Sequence, residues 1–313
     1  MSSTCTICKH RDAIYTRPYS GEKLCNRCFC GSIENKVRAT ISNFEMFRFD
    51  DVIAVGVSGG KDSMALLHIL TKLEKSYPMA ELTAVTIDEG IHGYRDEALR
   101  ITKESCRKLG VEHVTLSFKQ LFGCELDELT QILLEKTNGA GLTPCAYCGV
   151  LRRRALNSVA REYGATKLAT AHNLDDETQT VLLNILHGDP LRMVRSRPIS
   201  SSRRAGFVCR TKPLCEVLER EVALYAYLKN VEFQSVPCPY ASRALRNDVR
   251  VMLNRMEEKH PGLKYTVYRS AEKLRESLKD YVSLESLGKC KHCGELTVNE
   301  TCQECELLKT LDT

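Results

Sequence analysis

Residues 51–73 carry a unit that few folds can accommodate. Asp51-Val52-Ile53-Ala54-Val55-Gly56-Val57 is a short β-branched run, the pattern of a strand buried on both faces of a parallel sheet. Gly59-Gly60 breaks it, and apolar positions at helical spacing follow over Ser63–Leu73. Two glycines let the backbone approach a ligand closely, and the first amides of the helix are left free to meet an anion. Ser58 and Ser63 add hydroxyls and Lys61 adds charge. The spacing differs from that of the Walker A loop, in which four residues separate the first glycine from Gly-Lys.

The pattern then repeats. Strands are expected at Leu82–Ile87, His113–Phe118 and Lys167–Ala171, with helices over Tyr94–Leu109, Glu125–Glu135, Val150–Tyr163 and Leu174–Leu186. Strands alternating with helices predict the fold class α/β, a doubly wound parallel sheet that binds its ligand at the carboxyl ends of the strands. Residues 33–49 have helical spacing (Ile33, Val37, Ile41, Phe44) and lead into the core. Leu191–Lys212 holds seven basic and no acidic residues, either a solvated loop or a phosphate-contacting patch. Residues 219–280 read as three helices. The expected units are an N-terminal ribbon (1–32), the loop-bearing core (33–215), a helical part (216–285) and a second ribbon (286–313).

The chain has 16 cysteines, and their spacing sorts them. Cys5, Cys8, Cys25 and Cys28 form two C-x2-C pairs, as do Cys290, Cys293, Cys302 and Cys305. Tetrahedral zinc takes four thiolates and each tight pair supplies two, so these sets read as two closed structural Zn2+ sites. Cys30 is a spare beside the first. Cys145 and Cys148 form a third C-x2-C with no second pair nearby, and Cys238 stands alone between two prolines. Spacing leaves three readings for this trio: an iron–sulfur cluster with one iron lacking a protein thiolate, a redox pair, or a persulfide carrier. Cys106, Cys124, Cys209 and Cys215 show no ligand spacing and read as core or incidental.

With no stretch of about 20 apolar residues and a polar, cysteine-bearing start, the expected compartment is the cytoplasm, with no membrane partner. A formal charge of +5 permits nucleic acid without demanding it.

The loop Ser58-Gly59-Gly60-Lys61-Asp62-Ser63 resembles the pyrophosphatase loop of the PP-loop ATP pyrophosphatase superfamily. The remaining motifs narrow the likeness. Asp88-Glu89-Gly90-Ile91 with Gly93-Tyr94-Arg95-Asp96 follows the second strand. A long motif runs from Cys145 through Arg152-Arg153-Arg154 to Leu156, and Ala171-His172-Asn173-Leu174-Asp175-Asp176 follows the fourth strand. With Glu221–Ala226 and the two ribbons, these resemble the cytoplasmic tRNA 2-thiolation protein 1 family over nearly the whole chain.

The resemblance implies an ATP-dependent tRNA sulfurtransferase that places sulfur on C2 of the wobble uridine of tRNAs for Lys, Glu and Gln. The arginine-rich motif and Arg95 favour that branch over one acting on a T-loop uridine. It implies ATP and Mg2+ held by Val57, Ser58, Gly59, Gly60, Lys61, Asp62, Ser63, Ile87, Asp88, His172, Asp175 and Asp176, with Asp62 and Asp176 also catalytic. For the acids after each strand, helix capping and macrodipole charge are the competing roles. It implies a [4Fe-4S] cluster on Cys145, Cys148 and Cys238, with a persulfide as its rival, and sulfur delivered by a ubiquitin-like thiocarboxylate carrier. Arg152, Arg153 and Arg154 are expected to meet tRNA, and the ribbons to grip it or simply cap the core. A paralogous subunit and a homo- or heterodimer are further expected partners. An amidotransferase or lysidine-type ligase would need neither the third cysteine pair nor the ribbons, and a tRNA-binding scaffold subunit would be expected to show an eroded loop. Ala171 stands where many relatives carry glycine.

Overall fold

A computed structural model describes residues 3–75, 79–137, 143–200, 207–240, 245–278, 288–294, 296–297 and 299–312. Residues 201–206 of the basic stretch and 279–287, across the expected boundary before the last ribbon, lie outside them.

The first ribbon pairs β1 (Tyr15–Thr16) with β2 (Lys23–Leu24) and runs into α1 (Asn26–Asn43), which begins one residue after Cys25. The helix therefore starts earlier than its apolar spacing indicated, and it crosses the expected boundary at residue 32. Leu24, Phe29, Ile33 and Val37 are fully buried in the main core, so this ribbon is built into the body of the protein. Arg17 of the ribbon forms a buried ion pair with Glu221 at 2.8 Å.

The core follows as β3 (Val52–Gly56), α2 (Lys61–Glu74), β4 (Glu81–Asp88), α3 (Arg95–Leu109), β5 (Glu112–Ser117), α4 (Phe118–Phe122), α5 (Leu126–Thr137), α6 (Pro144–Glu162), β6 (Lys167–Ala169), α7 (Leu174–Leu186), α8 (Pro190–Arg195) and β7 (Cys209–Thr211). All strand pairs are parallel, in the order β5-β4-β3-β6-β7. The chain moves outward from β3 to β5, then crosses back to β6 on the other side of β3. The ends of β3 and β6 thus flank the switch point, where doubly wound sheets bind ligands.

Alternation along β3 sets the layers. Ile53, Val55 and Val57 pack with α1 and α2, whereas Ala54 joins the opposite cluster with Val85, Ile87, Tyr147, Leu151 and Leu168. The expected strands and helices are all present. Three short elements had no signal in the spacing: α4, α8 and the edge strand β7. Edge strand β7 sits in the basic stretch, held by Leu168↔Arg210 register and by Val208 N donating to Asn157 Oδ1 at 2.9 Å.

The three helices after the core are α9 (Glu219–Leu228), α10 (Leu245–Lys259) and α11 (Leu263–Leu278). The second ribbon pairs β8 (Gly288–Lys289) with β9 (Leu296–Thr297) and ends in α12 (Gln303–Asp312). It docks on α6 through Leu307 and an Arg154–Glu304 ion pair at 2.8 Å. Among the described residues no helix is long and apolar enough to cross a membrane.

Candidate active site

The loop between β3 and α2 is shaped by its own backbone. Val57 N donates to Val85 O, which ends the strand. Gly59 has φ +82°, and a Cβ there would lie 2.7 Å from Ala98 Cβ and 2.9 Å from Ala98 Cα on α3. Only glycine meets both demands. Gly60 caps α2 with extended backbone and no side-chain cap, so the first amides of the helix stay open. Ser63 Oγ donates to Gly60 O (2.9 Å) and accepts from Ser58 N (3.1 Å), fixing the loop's width. Ser58 Oγ lies 3.2 Å from Ser63 Oγ.

Acids and a lysine gather at this helix start. Lys61 Nζ bonds Asp62 Oδ2 at 2.9 Å and Glu219 Oε1 at 2.6 Å. Glu219, the first residue of α9, carried no signal in the loop motif. Burial raises the Asp62 carboxyl, with Lys61 pulling the other way, and its Oδ1 makes no hydrogen bond. Asp176 faces the same region from α7. Burial raises its pKa to about 6, the Asn173 amide opposes this, and Asp62 adds to the rise. Asn173 and Asp176 also form a reciprocal capping box at the start of α7.

Asp175 points elsewhere. Its Oδ1 accepts from Lys264 of α11 and its Oδ2 from Glu219 N at 2.8 Å, so it caps α9 and thereby sets Glu219. Asp88 Oδ1 accepts from Gly90 N at 3.0 Å at the end of β4. His172 keeps an open face but is crowded by protein and by Lys212, Arg210, Arg246 and Arg153. The crowding first, and these cations second, hold its imidazole far below the usual value, so it is neutral at pH 7. Its Nδ1 lies 3.0 Å from Thr170 Oγ1. Ala171 is not among the positive-φ residues, so its backbone accepts a side-chain methyl group without strain.

Cys145, Cys148 and Cys238 come together beyond the end of β4. Cys145 and Cys148 occupy the first turn and a half of α6, which starts at Pro144 rather than at Val150. Cys145 Sγ donates to Tyr240 O at 3.0 Å, which brings in the Cys238 segment. Burial pushes the Cys148 thiol up to about 11. Arg152 opposes this, and Glu89, Cys238 and Cys145 add to it. Burial raises the Cys145 thiol as well, and Cys238 adds to that rise.

The three consecutive arginines separate. Successive helical residues are about 100° apart, so they cannot share one surface. Arg152 Nη2 donates to Cys148 Sγ at 3.0 Å, and its Nε lies 2.6 Å from Glu89 Oε1. Arg154 holds the second ribbon. Arg153 is the most exposed of the three and lies toward Arg210 and Arg192; the surrounding protein, followed by those two charges, lowers its pKa.

Glu89, part of the Asp88-Glu89-Gly90-Ile91 motif but without an expected role of its own, is 2% exposed and binds a second arginine. Arg95 Nε lies 2.7 Å from Glu89 Oε2, while Arg95 Nη1 and Nη2 donate to Ser58 O (2.9 Å) and Ile87 O (2.7 Å). The phosphate-ready loop and the cysteine trio are therefore joined by side chains.

Among the described residues two thiol sets are close enough to share a single metal ion, and the Cys145/Cys148/Cys238 trio is not one of them. In each of Cys5/Cys8/Cys25/Cys28 and Cys290/Cys293/Cys302/Cys305 the sulfurs lie within 4.8 Å of one another. Cys8–Cys25 is 3.9 Å and Cys293–Cys302 is 3.6 Å. Four thiolates at about 2.3 Å from a tetrahedral ion stand about 3.8 Å apart. Amides of Cys293 and Cys302 lower the Cys290 thiol to about 5 against the effect of burial, while burial raises Cys302 to about 11 and raises Cys305 as well; these thiols titrate together, and it is the spacing of the set that fits a metal ion. Cys30 lies outside the first set and is buried.

A glycine loop at the first strand-to-helix junction of a parallel, doubly wound sheet fits a PP-loop protein, and residues 32–257 match the PP-loop domain family. The chain is 37% identical to tRNA 2-thiolation protein NcsA of Haloferax volcanii, over 96% of this chain and 97% of the relative. It is 34% identical to cytoplasmic tRNA 2-thiolation protein 1 of Danio rerio, over 100% of this chain and 89% of the relative. A solved structure, the U34-tRNA thiolase NcsA from Methanococcus maripaludis with its [4Fe-4S] cluster, superposes with a TM-score of 0.84. That match has 32% identity and covers 99% of this chain and 97% of the other. The protein belongs to the cytoplasmic tRNA 2-thiolation protein 1/NcsA family.

Proposed function

We propose that the protein is an ATP-dependent tRNA-uridine 2-sulfurtransferase of the cytoplasm, acting on the wobble uridine of tRNAs for Lys, Glu and Gln. The observation that carries this reading is that an anion-ready loop and a trio of cysteines both lie at the carboxyl ends of the central strands, with side chains linking the loop to Cys148. C2 of uridine is a urea-like carbon with a poor leaving group. Transfer of AMP to O2 releases diphosphate. Attack of sulfur at C2 then expels AMP carrying the former O2.

The chain's residues divide this work. The amides of Gly60, Lys61 and Asp62 and the hydroxyls of Ser58 and Ser63 bind phosphate oxygens. Lys61, now shared between Asp62 and Glu219, turns its charge to the phosphates. Val57, Ile87 and Asp88 form the floor at the strand ends, and neutral His172 can donate or accept a hydrogen bond beside them. Asp175 acts one step back, through α9. Asp176, with a pKa near neutrality, can hold or pass a proton. Asp62, with an oxygen that makes no hydrogen bond, would hold Mg2+, which neutralises charge on the phosphates.

Cys145, Cys148 and Cys238 would hold a [4Fe-4S] cluster, and three thiolates leave one iron free to present sulfur. Arg152 keeps a cation beside the Cys148 sulfur. The two four-thiol sets hold Zn2+, and Arg153 meets tRNA phosphate. A ubiquitin-related thiocarboxylate carrier supplies the sulfur, and the protein works as a homodimer or with a paralogous subunit.

The test is single-turnover thiolation of tRNA by anaerobically purified protein with ATP and sulfide. The expected products are 2-thiouridine at the wobble position and one AMP per sulfur. Sulfur appearing only in the T loop, or thiolation undiminished by Lys61→Ala, would contradict the reading.

A further inference from the structure

The buried charges of Glu89 and Arg95, between the two halves of the site, have no role in the chemistry described above. They form one connected chain. Ser58 O, in the loop itself, accepts from Arg95 Nη1 at 2.9 Å. Arg95 Nε lies 2.7 Å from Glu89 Oε2, and Glu89 Oε1 lies 2.6 Å from Arg152 Nε. Arg152 Nη2 donates to Cys148 Sγ at 3.0 Å.

We propose that Glu89 is a positioning residue that couples occupancy of the Ser58–Ser63 loop to the placement and reactivity of the Cys148 sulfur. This rests on the nucleotide reading of that loop.

Three features carry it. First, Glu89 is the only described carboxylate shared by these two guanidiniums, one oxygen to each, so a change in its hold on one arginine alters its hold on the other. Second, the nucleotide end cannot move alone. Gly59 packs against Ala98 of α3, and α3 begins at Arg95, so a shift of the loop reaches the guanidinium both through Ser58 O and through the helix. Third, the two ends differ in exposure. Glu89 and Arg95 are 2% and 4% exposed, and Glu89 O is pinned by Leu126 N at 2.8 Å. The Arg152 side chain keeps 43% of its surface exposed. The chain therefore has a buried centre and a more exposed end, and that end touches the sulfur. Burying the charges of Glu89 and Arg95 is costly.

The test uses full-length protein with its ribbons intact and the cysteine trio free of iron. The rate of iodoacetamide alkylation at Cys148 is measured by peptide mass spectrometry, with and without α,β-methylene-ATP. In the unmodified sequence the analogue should change that rate about fivefold or more, the scale of ordinary coupling between sites. The buried Cys106 serves as the internal control. Glu89→Gln keeps the shape and removes the charge. It should still bind the analogue, yet the Cys148 rate should no longer respond. If Glu89→Gln does not fold, Arg152→Lys carries the same expectation, because it keeps a charge but loses the fork to the sulfur. A response of unchanged size in the variant overturns the coupling, as does a non-responding Cys148 in unmodified protein that binds the analogue. Failure of the unmodified protein to bind the analogue removes the nucleotide reading, and the coupling with it.

Discussion

Replacing Gly59 by alanine should cost far more than its single methyl suggests. The residue sits at φ +82°, where an L side chain costs about 1–2 kcal/mol. Its new Cβ would lie 2.7 Å from Ala98 Cβ, 2.9 Å from Ala98 Cα and 3.0 Å from Ala98 O. Two of those atoms are helix backbone, so no rotamer change relieves the contact. Overpacking of this kind adds about 1–3 kcal/mol. The sum, about 2–5 kcal/mol, is a large part of the roughly 5–15 kcal/mol that holds a typical domain together. The assay is equilibrium urea unfolding, where the midpoint should fall with little change in slope. ATP binding by the variant should be lost, because relief requires the loop to leave α3. Gly60→Ala is the control. Gly60 has φ −79°, and its Cβ would meet only Ser58 Oγ at 3.5 Å. Its cost should stay below about 1 kcal/mol, the scale of a cap substitution. A Gly59→Ala protein as stable as the parent, still binding ATP, would refute the steric account of the loop.

Further outcomes follow from other parts of the structure. Asp176 has a folded pKa of about 6, above its unfolded value near 3.9. The folded state thus holds the extra proton between those values, and this contribution to stability is present below about pH 4 and lost as pH rises through about 6. Asp176→Asn should raise the melting temperature at pH 7 and leave it unchanged at pH 4, measured without added Mg2+. Arg17→Met leaves Glu221 buried and short of its cation, although Tyr19 Oη still lies 3.1 Å away, and should cost about 3–5 kcal/mol in urea unfolding. Arg153→Glu should weaken tRNA binding and lower the salt slope by about one or more. Arg154→Ala should leave that slope unchanged but expose the second ribbon to protease, since Arg154 pairs with Glu304.

Much of this was legible in the chain because the signals are local. The strand–glycine–helix unit at residues 51–73 and the C-x2-C pairs are short-range patterns, and the structure keeps them. The fold's main strands came from β-branched runs for the same reason. Glu89, Arg95 and Arg152 are different: their pairings join residues far apart in sequence, and no spacing rule reports which buried acid meets which base. One clue was available. Cys148 and Arg152 are four apart, and on a helix that places them on one face. The same reasoning shows that Arg152, Arg153 and Arg154 cannot share one partner. Glu219 was hidden because its role depends on α9 being set against α7 by Asp175. Edge strand β7 has three residues and sits in a stretch whose charge outweighs its apolar pattern.

The central claim is that three thiols beside the PP-loop hold a cluster with an open iron, while two four-thiol ribbons hold zinc. Iron, acid-labile sulfide and zinc per chain, measured on protein purified without oxygen, test it most directly. The account expects about four irons and four sulfides beside two zincs. Cys145→Ser, Cys148→Ser and Cys238→Ser should each lose the iron and keep the zinc. Two zincs with no iron, in protein that still thiolates tRNA, would contradict the cluster and move sulfur transfer to a cysteine persulfide.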